Sequence, residues 1–311
     1  MSLPPHLSVT PNPRVPFKVI YEDEHLLALN KPAGVVTQPG DKHQHDSLLN
    51  GAFARWGKRL QNLGKKRDFG LLHRLDRGTS GLVLIALSTE CYDGIRASFV
   101  RRDITKRYWT MVHGLLSPPQ GRCELRIAEV RSGGQKRAQI ISKSPANLSP
   151  DRSKHYRKNH LSKGQNQRYR SYRRDGHHAR QQRAAPKGQP AVTCYQTLTT
   201  TSHDGTVRAS LLACEIHTGK LHQIRAHMNA LGSPVIGDFD YGGKRPLNLI
   251  ARRLGRGQLA LHAGYLALTH PCSGAHLQLY TPVSTWFQRL ADELNLPLPG
   301  ELIDHDHTPI T

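Results

Sequence analysis

One short polar stretch, His-Arg-Leu-Asp-Arg-Gly-Thr-Ser-Gly at 73–81, constrains most strongly how this chain can fold. It lies between the apolar runs 69–72 and 82–87, and the second run is long enough for a buried strand. The pattern predicts a strand, a polar loop and a second strand, with Asp76 near the mouth of a sheet. Polar groups held on a loop by buried strands are common in catalytic sites. An Asp that caps a turn through backbone N–H groups fits the same pattern, so both interpretations stay open here.

Composition limits the class of protein. Only 37% of the 311 residues are hydrophobic and the mean hydropathy is −0.55, so we expect part of the chain to be unstructured. The sequence has no run of about 18 apolar residues and no secretory signal, which predicts no membrane span. Five scattered cysteines are typical of reduced thiols, so we expect a cytoplasmic protein. They are Cys91, Cys123, Cys194, Cys214 and Cys272.

The net charge of +21 is concentrated in one segment. Residues 131–187 contain 16 Lys or Arg and 2 Asp, which gives 16 − 2 = +14 and leaves +7 for the rest. Few of their side chains could be buried, so we predict a disordered basic insert. Tyrosines alternate with arginines at 168–174, an arrangement that suits stacking on bases and binding of phosphates. A solvated linker without a function is the alternative. Both parts of the chain favour RNA or DNA as partner.

The remaining pattern predicts one interrupted domain at 17–311 behind a flexible, Pro-rich leader at 1–16. Helices and strands do not alternate regularly, and several strands follow one another directly. This favours an α+β fold with a mixed, mostly antiparallel sheet. The predicted helices cover 47–63 and 89–102, and the predicted strands 19–21, 26–29, 108–112, 191–198 and 209–216.

A second polar cluster occupies 217–228. Leu221, Ile224 and Met228 have helical spacing, which predicts a helix after the Thr218-Gly219 turn. The start of such a helix could bind phosphate, whereas a solvated amphipathic helix fits the pattern equally well.

Several other chemistries lack their sequence signatures. His217, His222 and His227 recur every five residues and would not share a helix face, so a metal site is not expected. His73, Asp76 and Ser80 are the residue types of a hydrolase triad but lack a Gly-x-Ser-x-Gly elbow. The sequence has neither a phosphate-binding P-loop nor a dinucleotide fingerprint, so no cofactor is expected. These exclusions leave a reaction on RNA that needs neither a metal nor a cofactor.

Several ordered segments resemble the RluA-type family of RNA pseudouridine synthases. Residues 73–82 resemble its catalytic-aspartate motif, 106–114 its tyrosine-bearing strand and 218–228 its arginine motif. Similar stretches open and close the match, which covers 17–290 apart from the insert. They are Tyr21-Glu22-Asp23, Asn30-Lys31-Pro32-Ala33-Gly34, Gly232, Pro234, Gly237-Asp238, Tyr241-Gly242, Leu261-His262-Ala263 and His270-Pro271.

The resemblance implies the pseudouridine synthase fold, with flanking helices and a central RNA-binding cleft, and isomerisation of uridine to pseudouridine in RNA without cofactor or metal. Asp76 corresponds to the essential aspartate, and Arg225 to the arginine that pairs with it. Tyr108 corresponds to the tyrosine that packs against the target base and is implicated in proton removal at C5. Arg225 would keep the carboxylate ionised and oriented. RNA contacts are expected from Arg74, Lys106, Lys220 and His222.

Three features depart from the family pattern. Lys220 replaces the more frequent arginine, which loses bidentate phosphate recognition, and Thr110 replaces an alanine. The short leader leaves no room for the N-terminal RNA-binding module of many relatives, so the basic insert is expected to substitute for it.

The substrate is less constrained than the chemistry. Residues 132–137 resemble ribosomal members, which favours large-subunit ribosomal RNA over transfer RNA. A monomer is expected. A non-catalytic RNA-binding or ribosome-assembly factor is the second hypothesis, and a hydrolase is the third.

Overall fold

The structure, a computed structural model, describes residues 7–132, 135–141, 187–203 and 206–302. Its strands are β1 (Lys18–Glu22), β2 (Leu26–Lys31), β3 (Ser80–Ala86), β4 (Thr105–His113), β5 (Gln120–Cys123), β6 (Arg126–Ser132), β7 (Gln135–Ile141), β8 (Thr193–His203), β9 (Thr206–Ile216), β10 (Leu261–Thr269) and β11 (His276–Tyr280). In the described ranges, nine of them form one sheet in the order β1-β2-β3-β10-β4-β9-β8-β5, with β11 paired to β10. Strands β6 and β7 form a separate hairpin.

Five α-helices flank the sheet in the described part of the chain. They are α1 (Leu48–Leu63), α2 (Thr89–Arg101), α3 (Gln223–Ala230), α4 (Pro246–Leu254) and α5 (Thr285–Glu293), with short 3₁₀ helices at Lys65–Gly70 and Gly300–Leu302. Helix α1 begins at a capping box, in which Ser47 and Asn50 each accept a hydrogen bond from the other's backbone N–H. Ser88 caps α2 in a similar way through its side chain. No helix of the described residues is both long and apolar enough to cross a membrane.

The sheet is mixed and mostly antiparallel, which confirms the predicted α+β fold. Only β3 and β10 pair in parallel among the described strands, with Ser80 beside His262 and Gly81 beside Ala263. Gly81 has a φ of +117°, and a Cβ placed there would lie 2.3 Å from the Ala263 carbonyl oxygen. Only glycine fits this position without moving the backbone. The start of β3, directly after the Asp76 loop, is therefore fixed against the centre of the sheet.

Apolar side chains cover both faces of the sheet. One core packs α1, α4 and α5 against it, and a smaller core packs α2 against the other face. All seven residues of β3 are buried, as its apolar run predicts. The helices predicted over 47–63 and 89–102 and the other predicted strands are also confirmed.

The strand predicted over 69–72 is wrong. Residues Lys65–Gly70 form a 3₁₀ helix, in which Asp68 and Phe69 both have positive φ, a conformation that a strand excludes. Leu71 makes one isolated bridge to Ile85. A short apolar run does not by itself distinguish strand from other buried structure, which accounts for the error.

The basic insert predicted at 131–187 begins too early. Strand β7 pairs with β6 along its whole length, because Ala138 and Ile140 alternate with polar residues and pack near α3. Gly188 packs against the Ile141 side chain, and Gln189 exchanges two backbone hydrogen bonds with Ile127. The chain therefore returns at 187–189 to the place that it leaves at 141. The rest of the predicted insert, 142–186, lies outside the described residues.

Candidate active site

The loop that carries Asp76 is held by hydrogen bonds on both sides of this residue. Thr37 Oγ1 donates to the Leu75 carbonyl at 2.8 Å and accepts from the Leu75 N–H at 3.1 Å. The Gly34 N–H donates to the Arg77 carbonyl at 2.7 Å, and Arg77 Nε donates back to the Gly34 carbonyl at 3.0 Å. These contacts on either side of Asp76 fix the position of its carboxylate.

A buried lysine, Lys31, also contacts this loop. Lys31 is fully buried, and its amine donates to the carbonyls of Pro32 and Val35 at 2.9 and 2.7 Å and, more weakly, to Arg77 at 3.4 Å. Burial lowers its pKa to about 7, while the negative charge of Asp76 acts in the opposite direction. The lysine thus joins the 32–35 turn to the loop of Asp76.

Arg225 connects three carboxylates. Its Nη1 donates to Asp76 Oδ2 at 3.0 Å, and its Nε and Nη2 make a bidentate pair with Asp238 at 2.7 and 3.0 Å. Nη2 also donates to Asp240 at 2.9 Å. The Arg225 side chain is only 6% exposed, against 25% for Asp76. Burial opposes the charge, but the hydrogen bonds and charges of Asp238 and Asp76 outweigh it and raise the pKa of Arg225 above its usual range. The guanidinium is thus a fixed, permanent cation beside Asp76.

Asp76 lies at a small cavity of about 90 Å³ that Tyr108 also lines. Tyr108 reaches it from β4, which is separated from β3 by β10 alone. Burial, with the charge of Asp76 as a second cause, raises the pKa of Tyr108, so its hydroxyl is protonated at neutral pH. Six of the seven residues singled out in the sequence line this one cavity. They are Arg74, Asp76, Tyr108, Lys220, His222 and Arg225.

Lys106 is the exception. Its amine lies 5.2 Å from the centre of the Phe99 ring on α2, and burial lowers its pKa to about 8. It does not line the cavity of Asp76, so its expected RNA contact at this site is not supported.

The two RNA-contact candidates on the 217–228 segment have protein partners. Lys220 Nζ donates to the Gln189 side chain at 2.6 Å. His222 Nδ1 lies 3.1 Å from the Tyr241 hydroxyl, and its Nε2 lies 3.8 Å from Asp76 Oδ2. Burial is the largest influence on His222 and lowers its pKa, which favours the neutral ring. The predicted helix is present and begins at Gln223.

The hydrolase hypothesis is not supported by the geometry. His73 Nε2 accepts a hydrogen bond from the Leu84 N–H at 3.0 Å, and burial lowers its pKa to about 3. Ser80 Oγ lies 2.8 Å from His262 Nδ1. Neither group contacts Asp76, so no triad forms. Within the described ranges, no group of three or more His, Cys, Asp or Glu side chains is placed to hold a metal ion.

Sequence reasoning predicted the pairing of Arg225 with Asp76 but missed its two other carboxylate partners, Asp238 and Asp240. Asp238, Asp240 and Tyr241 follow Gly237 in the family-like segment, yet nothing in the local pattern assigns them a function. Asp238 is 1% exposed and accepts from the backbone N–H groups of Asp240 and Tyr241 as well as from Arg225. The apolar residues that surround Asp238 in the sequence were the available signal, because they indicate a buried carboxylate and a buried carboxylate needs such a partner.

Comparison with known proteins agrees with this architecture. The model of the RNA pseudouridylate synthase family matches residues 25–230. The ribosomal large subunit pseudouridine synthase D of Zymomonas mobilis is 30% identical over 261 residues, 84% of this chain and 67% of that protein. The protein of the same name from Xanthomonas campestris is 30% identical over 287 residues, 90% of this chain and 70% of the relative.

A solved structure shares the fold. Human RNA pseudouridylate synthase domain containing 4 superposes with a TM-score of 0.56 at 20% identity, covering 90% of this chain and 94% of that one. The family match spans more than half of the chain and includes Asp76, Tyr108 and Arg225. The chain belongs to the RNA pseudouridylate synthase family.

Proposed function

We propose that this protein isomerises specific uridines of large-subunit ribosomal RNA to pseudouridine, with Asp76 as the essential carboxylate. The observation that carries the assignment is the Asp76–Arg225 contact of 3.0 Å at a cavity that Tyr108 also lines. The choice of ribosomal RNA is supported by the names of the relatives from Zymomonas and Xanthomonas.

In the proposed reaction the N1–C1′ bond of the uridine breaks, the base turns, and C5 joins C1′. C5 loses its proton and N1 gains one, so the product is an isomer of the substrate. Asp76 acts on the sugar, either by attack on C1′ or by removal of a sugar proton. Both roles need an ionised, oriented carboxylate, and the fixed cation of Arg225 supplies this condition.

Tyr108 is proposed to pack against the target base while the base turns. Its ring is 8% exposed and lines the cavity of Asp76. Because its pKa is raised, the phenol enters the reaction protonated. It can accept the C5 proton only after its own proton has left, so holding the base is its first role.

The target nucleotide must leave its stack to reach this cavity, which costs a few kcal/mol. Arg74 is exposed at the cavity mouth and carries a permanent charge. We assign it to the phosphates that flank the target, where it would offset part of this cost. Lys220 and His222 line the same mouth and are further candidates for RNA contact.

Tritium release from large-subunit ribosomal RNA labelled at uridine C5 tests the reaction. Wild type should release tritium, and Asp76→Ala and Asp76→Asn should release none. Asp76→Asn keeps the shape of the side chain and loses only its charge, so it tests the need for an ionised carboxylate. Equal release by wild type and both variants would refute the assignment of Asp76. No release by wild type from any cellular RNA would favour the non-catalytic RNA-binding factor.

Mapping pseudouridines in cells with and without the gene separates the two substrate classes. Loss of a pseudouridine from ribosomal RNA would support the proposal, and loss from transfer RNA alone would replace it with the second substrate. A cytoplasmic location, a monomeric state and RNA binding by the basic insert remain predictions.

A further inference from the structure

The exposed face of α4 carries charge that the proposed reaction does not use. Residues 244–256 contain five Lys or Arg and no Asp or Glu. Leu249 and Arg252 are three positions apart and share one face of α4, Arg245 directly precedes the helix, and all three are exposed. Among the ion pairs of the described residues, only Arg253 of this segment has a carboxylate partner, Glu293. Arg245 and Arg252 therefore present uncompensated positive charge to solvent.

An exposed aromatic ring adjoins this face. Phe239 is 38% exposed, and the Arg252 guanidinium lies 5.9 Å from the centre of its ring. Leu249 is 50% exposed beside Arg252 on the helix. One exposed apolar side chain needs no explanation, but an aromatic face beside unpaired arginines is the combination that binds single-stranded nucleic acid.

The same ring lines a second, larger cavity next to Asp76, which we call the outer cleft. Its volume is about 740 Å³, and its walls include the 36–40 loop, Arg74, Arg77 and Phe239. Asp76 borders both the outer cleft and the small cavity of Tyr108. A chain that places one nucleotide at Asp76 therefore has an open path towards Phe239.

The position of the ring is tied to the catalytic network. Phe239 lies between Asp238 and Asp240, which both bind Arg225, and the Asp240 N–H donates to Asp238 at 3.0 Å. The turn that fixes Arg225 beside Asp76 thus also fixes Phe239 at the outer cleft. This link gives the ring a constant offset from the reacting nucleotide.

We propose that Phe239 and the exposed face of α4 form a second RNA subsite. It binds an unpaired nucleotide close to the target uridine in the same chain. The base stacks on Phe239, and Arg252 and Arg245 bind the phosphates that follow it. Stacking on an aromatic face tolerates any base, so the subsite selects for unpaired RNA beside the target more than for sequence. The inference rests on the proposed function, since it takes the nucleotide at Asp76 as its reference.

Steady-state kinetics of tritium release, and binding of a fluorescein-labelled 12-residue oligouridine, test the subsite. Phe239→Ala should raise KM and the dissociation constant roughly tenfold, a typical effect of removing one stacking platform. Phe239→Trp should restore both, whereas Phe239→Leu, which keeps the apolar volume, should not. Circular dichroism of each variant checks that it is folded.

The charge contribution has its own control. Arg245→Ala with Arg252→Ala should flatten the slope of log binding constant against log salt by about 1.4, since each lost contact to single-stranded RNA removes about 0.7. Lys65→Ala with Lys66→Ala removes two exposed cations that line neither cavity and should leave the slope as in wild type.

Equal slopes for the two double variants, or an unchanged KM in Phe239→Ala, would overturn the subsite. The subsite would also be overturned if the Arg245→Ala, Arg252→Ala double variant still bound oligouridine normally but lost binding of polyglutamate, a model acidic peptide. Absence of tritium release by wild type would instead count against the proposed function, and the oligouridine measurement would still decide on the subsite.

Discussion

Replacement of Asp238 by alanine should destabilise the protein much more than replacement of Asp240, the other aspartate of the same turn that binds Arg225. The carboxylate is 1% exposed and makes two hydrogen bonds to Arg225, whose side chain is 6% exposed. Removal of one partner of a buried ion pair costs about 3–5 kcal/mol, because it leaves the other charge without compensation. Asp76 and Asp240 still contact the guanidinium, so we expect about 3 kcal/mol. For a domain of this size that corresponds to a fall in Tm of roughly 6–12 °C.

Urea unfolding followed by circular dichroism measures this loss. Asp240→Ala is the matched control, because Asp240 also binds Arg225 but is 42% exposed, and exposed pairs contribute about 1 kcal/mol or less. Asp238→Ala should also lower kcat in the tritium assay, since Arg225 would no longer be held beside Asp76. A loss below about 1 kcal/mol for Asp238→Ala, or a larger loss for Asp240→Ala, would refute the reasoning from burial.

Three further predictions concern separate parts of the molecule. His262 is buried between Ser80 Oγ and the Thr281 carbonyl, and burial lowers its pKa to about 4 from 6.5. Between pH 4 and 6.5 the unfolded chain binds more protons than the folded one, so the free energy of unfolding should fall as the pH falls. In urea titrations, His262→Gln should reduce the slope of this free energy against pH by about 1.4 kcal/mol per pH unit. Identical slopes for the two proteins would show that His262 does not cause the dependence. Tyr108→Phe keeps the ring that packs against the base and removes the hydroxyl that would take the C5 proton, so kcat for tritium release should fall while oligouridine binding persists. A normal kcat would show that the hydroxyl has no part in the reaction. Replacement of 142–186 by a short Gly-Ser linker should leave the unfolding midpoint unchanged and flatten the salt dependence of RNA binding, and an unchanged salt dependence would show that this segment does not hold RNA.

Much of the fold could be predicted because its main elements have clear apolar periods. Strand β3 and helices α1 and α2 are examples, since burial of one face or of a whole strand leaves a repeating pattern in the sequence. The apolar run at 69–72 has only four residues. That is too few to distinguish a strand from the end of a 3₁₀ helix followed by an isolated bridge, which the structure has there.

The site was predictable in part, for a different reason. Asp76 and Arg225 are 149 positions apart, and only the order of the family-like segments indicated that they meet. The bidentate role of Asp238 and the support that Lys31 gives to the loop depend on tertiary contacts, which leave no local period. Lys106 shows the converse, because a cation in a family-like segment packs on Phe99 instead of lining the cavity.

The close approach of Ile141 and Gly188 has a consequence for how such a chain can vary. The two ends of the 142–186 segment meet at one point of the β6–β7 hairpin. The length of this segment therefore does not affect the distances between the strands of the sheet. Doubling the length of a flexible segment that joins two neighbouring points adds only about 0.6 kcal/mol of closure entropy. Selection can therefore lengthen, shorten or recompose this segment while the register between β3 and β10, and with it the placement of Asp76, is inherited unchanged.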